Sequence, residues 1–258
     1  MAESGKTLKL NLGVKMLMNA NYTFHQGADA QSLAEHLACE LAKYMANAIA
    51  EKGSAVLALS GGSTPKPLFE ALSEHDVDWT KVIITLVDER WVGESHALSN
   101  AAFIKTYLLN KLPDSVRFVP LYQVADSAHE SLPLVIADYL QATNSTIDAP
   151  RSFDIVILGM GDDGHTASFF PDADNVAELV DIDSNEALLS CHSPSTQVER
   201  VTWSLPILLN TSFLALHFTG DDKRAVFESA CEGGETTLLP IRSVLFQDRI
   251  GLNVYYAD

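Results

Sequence analysis

Short apolar runs rich in β-branched residues recur along the chain, each closed by glycine, proline or charge. The clearest are Ala55–Leu59, Val82–Val87, Phe153–Leu158 and Ser212–Phe218. Runs of that length predict strands buried on both faces, as in a parallel sheet. Tyr22–Phe24, Val116–Val119, Ala187–Cys191 and Leu252–Tyr256 are further strand candidates. Between them the spacing changes to three and four. From Ala28 to Lys52 the positions Leu33, Leu37, Leu41, Tyr44, Met45 and Ala48 share one helical face, and Gly53 stops it. Pro65 or Pro67 opens the next helix, with Leu68, Phe69 and Leu72 inward and Thr64 as its cap. Helices also follow at Asn100–Leu109, at Ser127–Gln141 despite Pro133, around Pro206, and after Gly220 with Ala225, Val226 and Phe227 inward. Strands and helices alternating throughout predict an α/β chain with a parallel sheet. No repeat, linker or composition break divides it. We expect one domain over residues 16–258, preceded by an N-terminal extension, residues 1–15.

Charge changes the picture. Lys and Arg number 17 against 34 Asp and Glu, a formal net charge of −17 in 258 residues. Such a balance argues against nucleic acid and against an anionic membrane surface, since both need a basic patch. It also sets a condition: a site for an anion must be locally positive against an unfavourable global field. Cys39, Cys191 and Cys231 are odd in number and form no CxxC pair, which reads as free thiols in a cytoplasmic protein. No apolar run approaches the ~20 residues of a membrane span, and no signal peptide is visible. A monomer is expected.

Three strand ends carry unusual loops, and right-handed crossovers in one parallel sheet would gather them at one edge. Ser60-Gly61-Gly62-Ser63-Thr64 can turn its amides inward as an anion nest at a helix N-terminus, with hydroxyls to complete the coordination. It lacks the lysine of a nucleoside triphosphate loop. Asp88-Glu89-Arg90 must hand three charges to solvent or to a ligand, and Arg90 can clamp a phosphate or carboxylate. The third loop, GMGDDGHTASFF over 159–170, matches GxGxxG, and Asp181 and Asp183 lie about 20 residues on. Two aspartates facing a pyrophosphate and a mid-chain position argue against a dinucleotide. His165 is the stronger candidate. An imidazole can take a proton from water and return it to a leaving oxygen, and Asp163 stands two residues before it. No GxSxG elbow offers a serine nucleophile, and Asp162, Asp163 and His165 are too few for a zinc site. His192 and His217 have no such company and read as structural.

With SGGSTP at 60–65, DERW at 88–91, Ser99-Asn100 and GMGDDGHTASFFP at 159–171, the chain resembles the 6-phosphogluconolactonases of the glucosamine-6-phosphate isomerase/6-phosphogluconolactonase family. The resemblance runs from about Asn19 to the C-terminus. It implies a Rossmann-like α/β domain, a mainly parallel sheet flanked by helices, and hydrolysis of 6-phospho-D-glucono-1,5-lactone without metal or cofactor. It makes His165 the general base with Asp163 beside it. Ser60, Gly61, Gly62, Ser63, Thr64 and Arg90 become the phosphate-side groups. Arg200, read as lying before a Thr-containing helix start, and Lys223 join them. Gly93 and Asp172 depart from the family pattern, affecting loop shape only. A related deaminase or isomerase chemistry would need the glutamate that this family's deaminases carry five residues after the histidine. Here that position is Phe170. A non-catalytic sugar-phosphate binding module would leave His165 and Asp163 without purpose.

Overall fold

The computed structural model describes residues 20–258. The boundary expected between residues 15 and 16 therefore lies outside the described residues. The elements follow the hydrophobic pattern closely. The chain opens with β1 (Tyr22–Gln26) and α1 (Ala30–Lys52). The carboxylate of Asp29 accepts the Ser32 amide at 2.7 Å to start α1, and Gly53, with φ 81°, ends it in the left-handed region that glycine adopts freely. Next come β2 (Ala55–Leu59), α2 (Lys66–Ser73), β3 (Val82–Leu86), β4 (Asp88–Arg90), α3 (Asn100–Tyr107) and β5 (Arg117–Val119). The central stretch holds α4 (Ala128–Thr143), β6 (Phe153–Leu158), α5 (Val176–Leu179), β7 (Leu188–Cys191) and β8 (Arg200–Trp203). The chain closes with α6 (Leu205–Leu209), β9 (Thr211–Thr219), α7 (Asp221–Cys231), α8 (Arg242–Leu245) and β10 (Leu252–Ala257).

Seven strands form one sheet in the order β1-β10-β9-β6-β2-β3-β5, and every neighbouring pair is parallel. β2, β3 and β6 are buried along their whole length, as continuous apolar runs require. Two polar residues interrupt them, and the Thr85 hydroxyl in β3 donates to the Val119 carbonyl at 2.9 Å. Asp154 in β6 is buried, and it is held by Lys52 at 2.7 Å, Arg151 at 2.8 Å and the Val56 amide at 2.8 Å. The order of strands reverses between β2 and β6, since β3 and β5 extend one way and β9 and β10 the other. In open α/β sheets that reversal leaves a crevice beyond the carboxyl ends of the strands.

The large sheet is the mainly parallel one expected, and a second, smaller sheet pairs differently. β4, β8 and β7 form a separate three-stranded antiparallel sheet. β8 had no strand expectation at all. Arg200 lies in its first position rather than before a helix, and α6 begins five residues later at Leu205. The small sheet is sewn to the large one at Val87, whose amide donates to the Leu59 carbonyl at 3.0 Å and whose carbonyl accepts from the Trp203 amide at 3.1 Å.

Candidate active site

A cleft of about 220 Å³ opens over the carboxyl ends of β2 and β6, at the reversal in strand order. All three loops singled out in the sequence reach it. On the β2 side, Ser60 plays a different part from the one expected. Its hydroxyl donates to the Ile157 carbonyl at 2.9 Å and accepts the Gly159 amide at 3.0 Å. Its single proton is thereby spent on joining the ends of β2 and β6, and is not free for a ligand. Thr64 does not cap α2, which has no side-chain cap. The Ser63 and Thr64 hydroxyls and the amides of Gly61, Gly62, Ser63 and Thr64 have no partner among the described residues. Gly61 is obligatory for space, because a Cβ there would fall 2.1 Å from the Asn100 carbonyl oxygen Oδ1.

On the β6 side the chain makes a tight turn. The Gly161 amide donates to the His165 carbonyl at 2.9 Å, and the Gly164 amide, at φ 76°, donates to the Gly161 carbonyl at 3.1 Å. This geometry delivers Asp163 and His165 to one point. Asp163 Oδ1 accepts the His165 amide at 3.1 Å and lies 2.5 Å from His165 Nδ1. Burial raises the Asp163 carboxyl, but the hydrogen bonds and charge of His165 outweigh burial, so the net displacement is below the ordinary value. A carboxylate at Nδ1 places the ring proton there and leaves the Nε2 lone pair bare. The His165 ring packs against Phe170 with centroids 4.3 Å apart, and the Arg200 guanidinium lies 4.9 Å from the same Phe170 centroid. No helix follows Gly164 until α5 at Val176, so the helix N-terminus that a dinucleotide pyrophosphate needs is missing.

The small sheet supplies the cations. Arg90 on β4 and Arg200 on β8 stand directly opposite in register. Arg90 Nη1 donates to the Leu98 carbonyl at 2.5 Å, and Arg200 Nη1 lies 3.6 Å from Asp88 Oδ2. The Nε of each arginine is buried without a partner among the described residues. Burial pushes the Arg200 guanidinium below its ordinary value; Asp88 opposes this and Arg90 reinforces it. Asp88 also accepts the Ser168 hydroxyl at 2.6 Å. Of the three charges ending β3, only Arg90 fits the expectation of a solvent or ligand contact without qualification. Glu89 is fully buried and turns inward. Its carboxylate takes the amides of Arg90, Asn100 and Ala101 at 2.7–2.8 Å and the Ser99 hydroxyl at 3.0 Å, capping α3. Burial pushes this carboxyl up, and the three amides pull it back only in part.

On the β9 side the cleft reaches Lys223, in the first turn of α7, and His217. Together with Arg90 and Arg200, Lys223 meets the condition set by the net charge: the cleft is locally cationic. His217 departs from its structural reading because it lines the cleft. His192 does not.

The family model described as glucosamine-6-phosphate isomerases/6-phosphogluconolactonase matches residues 28–251. The chain belongs to this family. A Mesorhizobium japonicum protein named 6-phosphogluconolactonase is 41% identical over 244 residues, covering 94% of this chain and 98% of its own. A Rhizobium meliloti protein of the same name is 37% identical over 240 residues, covering 93% of this chain and all of its own. Among solved structures, a 6-phosphogluconolactonase from Shewanella baltica superposes with a TM-score of 0.85 at 31% identity, covering 92% of this chain and 98% of its own. At this family's cleft, His217 is the residue the sequence had marked as structural, while Asp88 and Ser168 entered only as members of their loops. Asn100 was noted only as part of a motif, yet its side chain donates to the Asp88 carbonyl at 2.9 Å and walls the Gly61 turn. Among the described residues no cluster of three or more His, Cys, Asp or Glu could hold a metal, all three cysteines are free, and no helix is long and apolar enough to cross a membrane.

Proposed function

We propose that this protein is a 6-phosphogluconolactonase, hydrolysing 6-phospho-D-glucono-1,5-lactone to 6-phospho-D-gluconate in the pentose phosphate pathway of the cytoplasm. The observation that carries the reading is the Asp163–His165 couple, 2.5 Å apart, at the edge of a cleft lined with cations. The phosphate is seated by Arg90, Arg200, Lys223 and the free amides and hydroxyls of Gly61–Thr64, which leaves the lactone carbonyl near His165. Nε2 takes a proton from water as the oxygen attacks C1. Asp163 holds Nδ1–H and offsets the positive charge that develops on the ring. The oxyanion formed at C1 needs donors. The Gly159 amide is bonded to the Ser60 hydroxyl, and those of Gly161 and Gly164 are bonded within the turn. The amides of Met160 and Ala167, two residues that line the cleft, have no partner among the described residues and are the available donors. One such donor contributes ~3 kcal/mol. Collapse of the intermediate breaks the C1–ring oxygen bond, and His165 returns its proton to that oxygen, giving the open hydroxy acid, which ionises.

Phe170 favours hydrolysis over amino-sugar deamination, because a phenyl ring stands where ring opening would need a carboxylate. The test is lactone hydrolysis near neutral pH with the spontaneous rate subtracted, on the native chain and on His165→Ala. Loss of a general base lowers the rate by about 10²–10⁴. A native chain no faster than the spontaneous reaction refutes the proposal.

A further inference from the structure

β9 carries a residue that a strand core does not need. Its segment Phe213–Phe218 is buried throughout, and His217 is the polar side chain within it. His217 is 4% exposed, and that exposure faces the cleft it lines. A buried polar side chain normally finds a hydrogen-bond partner within the protein. Neither ring nitrogen of His217 has one among the described residues, and the residue lines the cleft. The ring therefore has hydrogen-bonding capacity to offer at the cleft.

Its place in the sheet says which part of a ligand meets it. Leu216 pairs with Leu158 across β9 and β6, so His217 comes level with Gly159, where the catalytic turn begins. Lys223, also lining the cleft, is near enough to act on the imidazole electrostatically. Burial first and Lys223 second bring His217 to about 4, so the ring is neutral wherever the enzyme would work. A neutral imidazole beside an ammonium adds an oriented N–H without adding a second, mutually repelling charge. An anion with several acceptor oxygens uses both donors at once.

We infer that His217 is a phosphate-binding residue, its neutral ring donating one N–H to the substrate phosphate beside Lys223. This rests on the lactonase reading for the identity of the substrate, though not for the presence of an anion site. The test begins with inorganic phosphate, titrated by calorimetry into the native chain, His217→Phe and His217→Gln, each first checked for a native thermal transition. A hydrogen bond to a charged group is worth roughly tenfold or more in affinity. Phosphate affinity falls about tenfold in His217→Phe and recovers largely in His217→Gln, which keeps a donor. In turnover, His217→Phe raises KM for the phosphorylated lactone by a similar factor, with kcat within about twofold, and leaves glucono-1,5-lactone unaffected. Unchanged phosphate affinity in His217→Phe overturns the inference, as does an equal loss on both lactones, which would put His217 on the sugar ring. A native chain that binds phosphate through His217 but hydrolyses neither lactone refutes the lactonase reading and leaves this one standing.

Discussion

Replacing Gly161 with alanine adds one methyl group, and that methyl lands in the proposed catalytic imidazole. A Cβ at 161 falls 2.2 Å from both Cε1 and Nδ1 of His165 and 2.8 Å from Asp163 Oδ1. Carbon atoms approach comfortably to about 3.5 Å, so the ring must retreat by roughly 1 Å. Retreat pulls Nδ1 from the carboxylate that fixes its proton and moves Nε2 from the attacking water. A misplacement of that size costs about 10²-fold in rate, comparable to much of what a general base supplies. The backbone pays little: φ at 161 lies outside the left-handed region, and the Gly161 amide keeps its bond to the His165 carbonyl. We expect kcat for lactone hydrolysis to fall about a hundredfold, KM to stay within a few-fold, and the unfolding free energy to change by less than about 1 kcal/mol. Gly159→Ala is the control. A Cβ there meets only Ser60 side-chain atoms at 3.9 Å, ordinary contact, and should leave the rate nearly intact. A Gly161→Ala enzyme with more than half the native rate would show that the position of the His165 ring does not govern the chemistry.

Two further perturbations probe the frame around the ring. Glu89→Ala strands three backbone amides and a hydroxyl in a buried place, so urea unfolding should show a loss of about 4 kcal/mol; a loss below about 1 kcal/mol would mean that α3 is capped by other means. Asp163→Asn tests linkage. Because the Asp163 carboxyl sits below its ordinary value, its contribution to stability is complete above about pH 4 and is lost as pH falls through the lowered value. The gap in melting temperature between native chain and variant should therefore be widest at neutral pH and close on acidification, and a gap that widens in acid contradicts a hydrogen bond to the Asp163 carboxylate.

What the sequence disclosed is what local chemistry dictates. Val82–Leu86 and Phe153–Leu158 became strands because a β-branched apolar run of that length has few other uses, and the loops after them were legible because glycine and charge interrupt burial. Ser99 was legible as a boundary, and it caps α3 through its bond from the Ala102 amide at 3.1 Å. Pairing partners were not legible. Asp88–Arg90 looks like the frayed end of β3, yet it is an antiparallel strand whose partner lies more than a hundred residues away. A separation of 97 residues hid the role of Ser60, claimed by Ile157, and the bend into α3 hid that of Glu89, claimed by Ser99, Asn100 and Ala101. Asp154 was passed over inside its apolar run, since Lys52 and Arg151 neutralise it from outside the strand. His217 looked like an unremarkable core histidine because sequence shows the residue and not the cleft at its edge.

The register between β4 and β8 has a consequence for stability. Arg90 and Arg200 are a directly opposed pair of like charge, an arrangement that destabilises a sheet. Asp88, shared with Ser168, balances only part of it. Because of this repulsion, an anion held between the two guanidiniums would stabilise the small sheet. If the proposed phosphate sits there, the two arginines couple its binding to the stability of β4, β7 and β8, which a melting temperature that rises with phosphate would show.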